Sequence, residues 1–253
     1  MKEIEVLKAP DDSKPFAIIY KPAGLASAPL SNDDNENAFS KAAAIFPQLL
    51  KVQGRKEIEH GLLHRIDTAT SGLLLIAANQ ECFDFLIAEQ KAGKILKKYY
   101  AECNLKKCKM EGFPPLEMDY SNKNTPFDFT LSSYFRPFGE GGKEVRPVTN
   151  EAGKAALKKL GKPVIYSTNI KILELNLIEN FAKAECTITN GYRHQVRSHL
   201  AWSGFPVIND ILYNPEESLK IKNAEPMRFC ASSIQFEYPR GDLNSYDRKD
   251  TWT

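Results

Sequence analysis

This sequence contains the stretch His64-Arg65-Ile66-Asp67-Thr68-Ala69-Thr70-Ser71-Gly72, directly before the apolar run 73–78. A continuous apolar run of this length predicts a buried strand, so the polar stretch forms the turn that leads into it. Loops held by a rigid strand often carry functional residues. The single carboxylate, Asp67, is therefore predicted to be held in a fixed position at a functional site.

Length and net charge limit the interpretation only loosely. The chain has 253 residues and a formal net charge of +2. That length is sufficient to bury a core without disulfides or metals, and it accommodates one large domain or two smaller ones. The pattern of elements predicts a single catalytic domain over 1–253, with its core at about 17–238. A charge this small does not by itself indicate a nucleic-acid partner.

The cysteines and the apolar runs indicate a cytoplasmic protein without a membrane segment. Five cysteines are an odd number, and none forms a C-x-x-C pair, which argues against a disulfide framework and a zinc ribbon. The amino terminus is charged, and the run 73–78 is far shorter than the roughly 20 residues that span a bilayer. We therefore expect a reducing cytoplasm and no membrane association.

Strands alternate irregularly with helices along the chain, which indicates an α+β fold. Residues 104–150 lack a clear period and are expected to form an irregular insertion with short strands. A polar C-terminal tail at about 240–253 is expected to be poorly ordered. The hydrophobic patterns predict strands at 16–20, 73–78, 95–103, 164–166, 171–178, 181–189 and 229–238, and helices within 79–93, 151–160 and 193–203.

A strip of lysines surrounds two adjacent tyrosines. Seven lysines lie between positions 91 and 109, with Glu102 as the only acid, and the strip includes Tyr99 and Tyr100. A lysine run alone is commonly a solvated surface. Lysines beside aromatic rings, however, supply both the phosphate contacts and the base stacking that nucleic-acid binding needs.

A second candidate site lies at 191–200, at the start of a predicted helix. Two arginines, two histidines and a glutamine are concentrated there. The first turn of a helix has free backbone N–H groups that favour anions, so a phosphate or the Asp67 carboxylate would be accommodated.

Four segments together resemble RNA pseudouridine synthases of the RluA family. Residues 64–72 resemble its signature His-Arg-Leu-Asp-x-x-Thr-Ser-Gly, with Ile66 as the one departure, and 191–200 resemble Gly-Arg-Thr-His-Gln-(Ile/Leu)-Arg-x-His-Leu, departing at Tyr192 and Arg193. Residues 20–25 and 97–101 resemble the family's Asn-Lys-Pro-x-Gly and Lys-x-Tyr-x-Ala segments. All four occur in the family's order, which is more specific than any single match.

The resemblance implies a fold, a reaction and a set of residues. The fold is a single mixed, largely antiparallel sheet domain flanked by helices, and the reaction is the isomerisation of specific uridines in ribosomal or transfer RNA. Asp67 is the implied essential carboxylate, Tyr99 stacks on the base and Arg197 orients Asp67. The implied RNA or base contacts are His64, Arg65, Val196, His194, Gln195, Lys97 and Lys98.

The same resemblance implies that no cofactor or metal is needed, because the reaction oxidises nothing and loses no group. The bond between the ring nitrogen and the ribose breaks, the base rotates, and a carbon of the ring is joined to the ribose instead. Asp67 could attack the ribose or remove its 2′ proton, and the sequence leaves both open. We expect a monomer without an obligate protein partner and without the family's optional N-terminal RNA-binding module.

Other interpretations of these residues stay open at this point. A metal could be bound by the four histidines and Asp67, that is by His60, His64, His194, His199 and Asp67. However, His194 and His199 are five positions apart and so do not lie on one face of a helix. Asp67 could simply cap a turn. The chain could be a non-catalytic RNA-binding relative with the same fold. A small-molecule hydrolase is a further alternative, but the sequence contains no G-x-S-x-G segment.

Overall fold

The computed structural model describes residues 2–31, 33–106, 111–116, 118–120, 123–149, 154–214, 225–239, 241–250 and 252. The chain divides into two compact units: the first comprises Met1–Lys98 and Cys230–Thr253, and the second comprises Tyr99–Phe229. The expectation of one catalytic domain stays a prediction.

Helices and strands are numbered along the chain. They are β1 (Glu5–Lys8), β2 (Phe16–Lys21), α1 (Ala38–Ile45), β3 (Ser71–Ala77), α2 (Gln80–Lys91), β4 (Leu96–Asn104), β5 (Phe127–Phe138), β6 (Glu144–Val148), α3 (Lys154–Leu157), β7 (Lys162–Asn176), β8 (Phe181–Ile188), α4 (Gln195–Trp202), β9 (Phe229–Glu237) and β10 (Leu243–Asp247). The chain passes from the first unit to the second within β4 and returns within β9.

The sheet of the first unit has the order β1-β2-β3-β9-β10. Its pairs are antiparallel except for β3 with β9, which run parallel. Every residue of β3 is buried, as its continuous apolar run predicts. Helix α2 begins where the sequence predicts, because the Asn79 side chain accepts a hydrogen bond from the Cys82 N–H.

Gly72 permits the close approach of β3 and β9. Its φ is +130°, and a Cβ atom at this position would lie 2.4 Å from the Ala231 carbonyl oxygen. Only glycine adopts this conformation without strain. The glycine that ends the polar stretch 64–72 is therefore required by the backbone of the neighbouring strand.

The sheet of the second unit has the order β4-β8-β7-β5-β6. Strand β7 pairs antiparallel with both β8 and β5, and β5 pairs antiparallel with β6. Helix α4 packs against β6 and β7, and all eight of its residues are buried. Core residues of this unit include Ile170, Ile172, Ala184, Leu200 and Phe205.

Two segments are more regular than the sequence predicts. Strand β5 has 12 residues and lies between two partners, although only short strands were expected between 104 and 150. Its alternation of buried and exposed side chains is obscured in the sequence because the buried Ser133 is polar and because Pro137 lies near its end. Strand β10 pairs with β9 where a poorly ordered tail was expected.

The fold class is α+β, with mixed and mostly antiparallel strand pairing and helices beside the strands, as predicted. Four of the cysteines are buried free thiols. Within the residues that the structure describes, no helix is long and apolar enough to cross a membrane.

Candidate functional site

The turn that carries Asp67 is fixed through its backbone. The Thr70 N–H donates to the Asp67 carbonyl at 3.0 Å. On the other side, the Ser27 hydroxyl donates to the Ile66 carbonyl at 2.7 Å and accepts from the Ile66 N–H at 3.1 Å. Asp67 itself is half-buried. The carboxylate therefore projects from a backbone whose polar groups on both sides are satisfied.

Lys21 joins this turn to the segment 20–25. Its side chain is fully buried, and its Nζ donates to the carbonyls of Leu25 and Thr70 at 2.7 and 2.6 Å, with longer bonds to Pro22 and Thr68 at 3.2 and 3.3 Å. Burial lowers the pKa of Lys21 to about 7, against the opposing effect of the negative charge of Asp67. Lys21 is thus a cation of the first unit that acts electrostatically on Asp67.

No role was predicted for Lys21 from the sequence, although it lies within one of the four matched segments. A buried lysine is rare unless it is paired, and here backbone carbonyls replace the carboxylate that usually pairs with it. The signal available in the sequence was its position at the end of an apolar strand, immediately before a proline. That signal does not reveal which carbonyls the ammonium group binds.

His64, Arg65, Lys97 and Lys98 also belong to the first unit. The His64 Nε2 accepts a 3.4 Å hydrogen bond from the Leu75 N–H, and burial lowers the pKa of His64 to about 3. Lys97 is only 5% exposed, and its pKa is lowered to about 8, mainly by burial. Arg65, in contrast, is exposed and pairs with Glu59 at 2.9 Å.

Tyr99 lies in the second unit and is supported on one face by another ring. It stacks on Phe229 with the ring centroids 5.2 Å apart and the planes within 10° of parallel. Phe229 belongs to the buried core cluster of that unit, and the partly buried Tyr99 packs against this cluster. A ring held in this way is oriented before any ligand binds, as base stacking requires.

The segment 191–200 forms the start of α4, as predicted, and most of its side chains are bound within the protein. His194 precedes the helix in a left-handed conformation with φ of +56°, and its Nδ1 lies 3.2 Å from the Tyr213 hydroxyl. Gln195 is 2% exposed and donates to Thr168 Oγ1 and the Ser167 carbonyl, both at 3.0 Å. Val196 is also buried. The predicted RNA contacts of Gln195 and Val196 stay predictions, and both residues have structural roles here.

Arg197 forms a buried two-point ion pair with Asp210. Its Nε donates to Oδ2 and its Nη2 to Oδ1, both at 2.7 Å. Asp210 is fully buried, and its Oδ1 also accepts from the N–H groups of Leu212 and Tyr213. The Arg197 guanidinium lies 5.2 Å from the Tyr213 ring centroid. The position and orientation of Arg197 are therefore set within the second unit.

Asp210 and Tyr213 lie outside the four segments matched in the sequence, and no function was predicted for them. The structure shows that they hold Arg197, which the resemblance implies as a catalytic residue. Arg197 and Asp210 are 13 positions apart, with a turn between them. Their ion pair cannot be predicted from the residue spacing that brings side chains together on one helix or one strand.

The histidines proposed as alternative metal ligands have other partners. His199 is fully buried between two hydroxyls, with its Nε2 2.9 Å from Ser133 Oγ and its Nδ1 2.8 Å from Thr168 Oγ1, and burial lowers its pKa to about 3. His60 stacks on Phe39 in the first unit. In the described ranges, no group of three or more His, Cys, Asp or Glu side chains is placed to hold a metal ion.

The chain resembles several known proteins over most of its length. Residues 15–202 match the family described as RNA pseudouridylate synthase. The RNA pseudouridine synthase YlyB of Bacillus subtilis is 25% identical over 223 residues, which are 88% of this chain and 62% of that protein. Ribosomal large subunit pseudouridine synthase C of Rickettsia felis is 29% identical over 199 residues, 79% of this chain and 53% of that protein. The chain thus spans less than two thirds of each of these two relatives.

Two solved structures share the fold. Human RNA pseudouridylate synthase domain containing 1 superimposes with a TM-score of 0.66 at 16% identity, covering 98% of this chain and 84% of that one. The human domain-containing 4 protein has a TM-score of 0.59 at 17% identity, covering 96% and 87%. With the match over 15–202, these findings place the chain in the RNA pseudouridylate synthase family.

Proposed function

We propose that this protein converts specific uridines of structured RNA to pseudouridine without a cofactor. The observation that carries the proposal is the family match over residues 15–202, because that range includes the Asp67 turn, Tyr99 and Arg197. The structure supplies a physical basis for two of these residues: a backbone-fixed turn around Asp67 and a Tyr99 ring already stacked on Phe229.

In this proposal Asp67 is the reacting carboxylate. It attacks the ribose or removes the 2′ proton while the bond between the ribose and the ring nitrogen breaks. The detached uracil turns and one of its ring carbons bonds to the ribose, while the bond to Asp67 breaks or the 2′ proton returns. That ring carbon loses its proton and the freed ring nitrogen takes one up. The atoms of the nucleotide are rearranged and none is lost, so no redox partner is required. The Lys21 ammonium interacts electrostatically with the Asp67 carboxylate within the first unit.

Tyr99 and Arg197 have separate proposed roles. Tyr99 provides an aromatic face that retains the loose base, with a stacking contribution of about 1 to 3 kcal/mol. Arg197 orients Asp67, as the family resemblance implies. Arg65 is exposed beside Asp67 in the sequence and is the proposed contact with nucleotides around the flipped uridine.

Ribosomal or transfer RNA is the proposed substrate class. Several relatives carry the name ribosomal large subunit pseudouridine synthase, which favours ribosomal RNA. We place the reaction in the cytoplasm, a location supported by the buried free thiols of Cys82, Cys103, Cys186 and Cys230. We expect the protein to act as a monomer.

Pseudouridine mapping tests the proposal directly. RNA from cells that lack the gene is treated with a carbodiimide that marks pseudouridine, and it is compared with RNA from cells complemented with the wild type or with Asp67→Asn. We expect one or more sites to disappear and to return only with the wild type. Unchanged sites in the deletion, or restoration by Asp67→Asn, would refute the proposed function.

The second candidate is a non-catalytic RNA-binding relative. Gln195, Val196 and His199 are buried within the protein, which shows that part of the motif at 191–200 supports the fold. For this alternative we expect Asp67→Asn to bind RNA as the wild type does and the wild type to form no pseudouridine in single-turnover reactions.

A further inference from the structure

Residues 248–250 follow β10 and contact several strands of the sheet of the first unit; we call them the C-terminal strap. The Arg248 N–H donates to the Ser232 carbonyl of β9 at 2.8 Å. The Arg248 guanidinium lies 4.8 Å from the ring centroid of Tyr20 in β2 and pairs with Glu5 of β1 at 3.3 Å. The strap is therefore held by strands on both sides of β3, in the order β1-β2-β3-β9-β10.

The Asp250 carboxylate of the strap joins β2 to β3. The Tyr20 hydroxyl donates to its Oδ1, and the Ser71 hydroxyl donates to its Oδ2. Ser71 is 3% exposed, whereas Tyr20 and Asp250 are half-buried. Hydrogen bonds to an ionised carboxylate are roughly twice as strong as those between neutral groups. One carboxylate thus fixes the side chains at the end of β2 and at the start of β3; we call this arrangement the Asp250 bridge.

The residues next to the Asp250 bridge hold the turn that carries Asp67. Lys21 directly follows Tyr20, and Thr70 directly precedes Ser71. The Lys21 Nζ donates to the Thr70 carbonyl at 2.6 Å, and the Thr70 N–H donates to the Asp67 carbonyl at 3.0 Å. A continuous series of covalent and hydrogen bonds within the first unit therefore leads from the bridge to the Asp67 backbone.

We infer that Asp250 is a positioning residue for Asp67, because its carboxylate locks together the two strand ends that hold the Asp67 turn. Asp250 acts through Lys21 and Thr70 and not on the nucleotide itself. A displacement of about 1 Å at a reacting group can lower a rate about 100-fold, so the position of the turn matters to the chemistry. This inference rests on the proposed function. It also gives a role to residues for which the sequence predicted only a poorly ordered tail.

Single-turnover kinetics separate positioning from RNA binding. The substrate is RNA extracted from cells that lack the gene, and the enzyme is in excess at several concentrations. In Asp250→Ala we expect the maximal rate to fall roughly 10- to 100-fold. The enzyme concentration that gives half the maximal rate should change less than about twofold. An unchanged maximal rate, or a loss confined to RNA affinity, would overturn the inference.

Two further substitutions of acidic residues complete this comparison. Asp250→Asn keeps the shape of the side chain and one acceptor oxygen, and its amide can donate to the Ser71 hydroxyl, so most of the rate should return. Asp247→Ala removes an exposed carboxylate of β10 whose hydroxyl contact, with Ser245, is 3.3 Å long, and it should behave as the wild type. If Asp250→Asn is as slow as Asp250→Ala, or if Asp247→Ala is equally slow, the bridge is not the cause.

Tyr20→Phe tests the bridge from the other side without removing a charge. It deletes one hydroxyl and keeps the aromatic ring beside Arg248, so it should fold even if Asp250→Ala does not. We expect a lower maximal rate in Tyr20→Phe. Combined with Asp250→Ala, it should cause little additional loss, because both changes break the same hydrogen bond. Fully multiplicative losses would show that the two residues act independently.

Hydrogen exchange of backbone amides, followed by NMR on the full chain, tests the bridge without any activity. In Asp250→Ala the Thr70 N–H should exchange faster than in the wild type. The Phe83 N–H of α2, which donates to the Asn79 carbonyl at 3.1 Å in the same unit, should be unchanged. Equal acceleration at Phe83 would show a general loss of stability and would overturn the positioning role.

The two measurements distinguish failure of this inference from failure of the proposed function. A wild type that forms no pseudouridine would refute the proposed reaction, and with it the catalytic consequence of the bridge. The faster exchange at Thr70 would still report that Asp250 holds the turn. Normal pseudouridine formation by Asp250→Ala would instead overturn the inference and leave the proposed function intact.

Discussion

Arg197 and Asp210 are joined by two hydrogen bonds of 2.7 Å in the buried interior of the second unit. The rigid fork of the guanidinium matches the two carboxylate oxygens, and neither side chain can rotate without breaking both bonds. Asp210 is held in addition by the backbone N–H groups of Leu212 and Tyr213. The cation that the family resemblance implies for catalysis is therefore anchored by a second carboxylate.

We expect Asp210→Asn and Arg197→Ala each to lower the free energy of unfolding by about 3 to 5 kcal/mol, because each leaves a buried charge unpaired. Chemical denaturation measures this directly. The matched control is Arg65→Ala, which breaks an exposed pair with Glu59 and should cost less than about 1 kcal/mol. Equal losses in the buried and exposed pairs would contradict the role of Asp210.

Arg197→Lys tests whether geometry or charge matters in the proposed reaction. Lysine keeps the charge but lacks the fork that binds Asp210 at two points, so turnover should fall well beyond any change in RNA affinity. Single-turnover rates and binding constants separate these effects. If Arg197 also contacts Asp67, the stability cost of Arg197→Ala should be smaller in the Asp67→Asn background. Strictly additive losses would argue against direct contact.

Burial of Lys97 should make stability increase with pH. Its folded pKa of about 8 is below the ordinary value of 10.5, so between these values the unfolded chain binds more protons and unfolding becomes harder as pH rises. Lys97→Met should raise the free energy of unfolding at pH 7 by about 1 to 3 kcal/mol. It should also flatten the pH dependence between 8 and 10.5. A destabilised Lys97→Met would show that the lysine has a structural partner.

His199 should weaken the fold in acid. Its pKa is lowered from 6.5 to about 3, so the unfolded chain binds more protons in this interval and stability falls as pH decreases through it. His64 has the same direction of shift. Urea denaturation at several pH values should show a smaller acid loss in His199→Gln than in the wild type. An unchanged pH slope in that variant would exclude His199 as a cause.

Gly72→Ala should destabilise the first unit by about 3 kcal/mol or more, because the new Cβ meets the Ala231 carbonyl oxygen at 2.4 Å and φ is +130°. Gly141→Ala is the matched control: its φ is also positive, at +63°, but no atom lies within 4 Å of the added Cβ. We expect the control to cost about 1 kcal/mol. Thermal unfolding distinguishes the two variants.

The elements that could be predicted from the sequence are those whose pattern lies within a few neighbouring residues. The buried strand β3, the capped helix α2 and the helix after Gly191 each carry their signal within a few neighbouring residues, and all three are present. Strand β5 was missed because its buried face includes Ser133, whose hydroxyl is bound by His199, 66 positions away. A buried polar residue whose hydrogen-bond partner is distant in the sequence looks like an exposed position, so the alternation of apolar and polar residues that predicts a strand is interrupted.

The same distinction applies to the candidate site. Asp67, Tyr99 and Arg197 were selected because they match motifs, whereas Lys21 and Asp210 act through bonds that no motif describes. The binding partners of Lys21 are backbone carbonyls, which every residue possesses, so the identities of the surrounding side chains contain no information about them. Such contacts become visible only when the chain is folded.

The enclosure of Lys21 gives this protein a built-in chemical reporter. An amine with a pKa of about 7 is largely unprotonated in mildly alkaline buffer and would react readily with acylating reagents, yet its side chain is fully buried. Acylation of Lys21 therefore requires the carbonyls of Leu25 and Thr70 to release it. The labelling rate at this one lysine, read by mass spectrometry, would measure how often the turn bearing Asp67 opens, and a ligand that holds the turn closed would slow it.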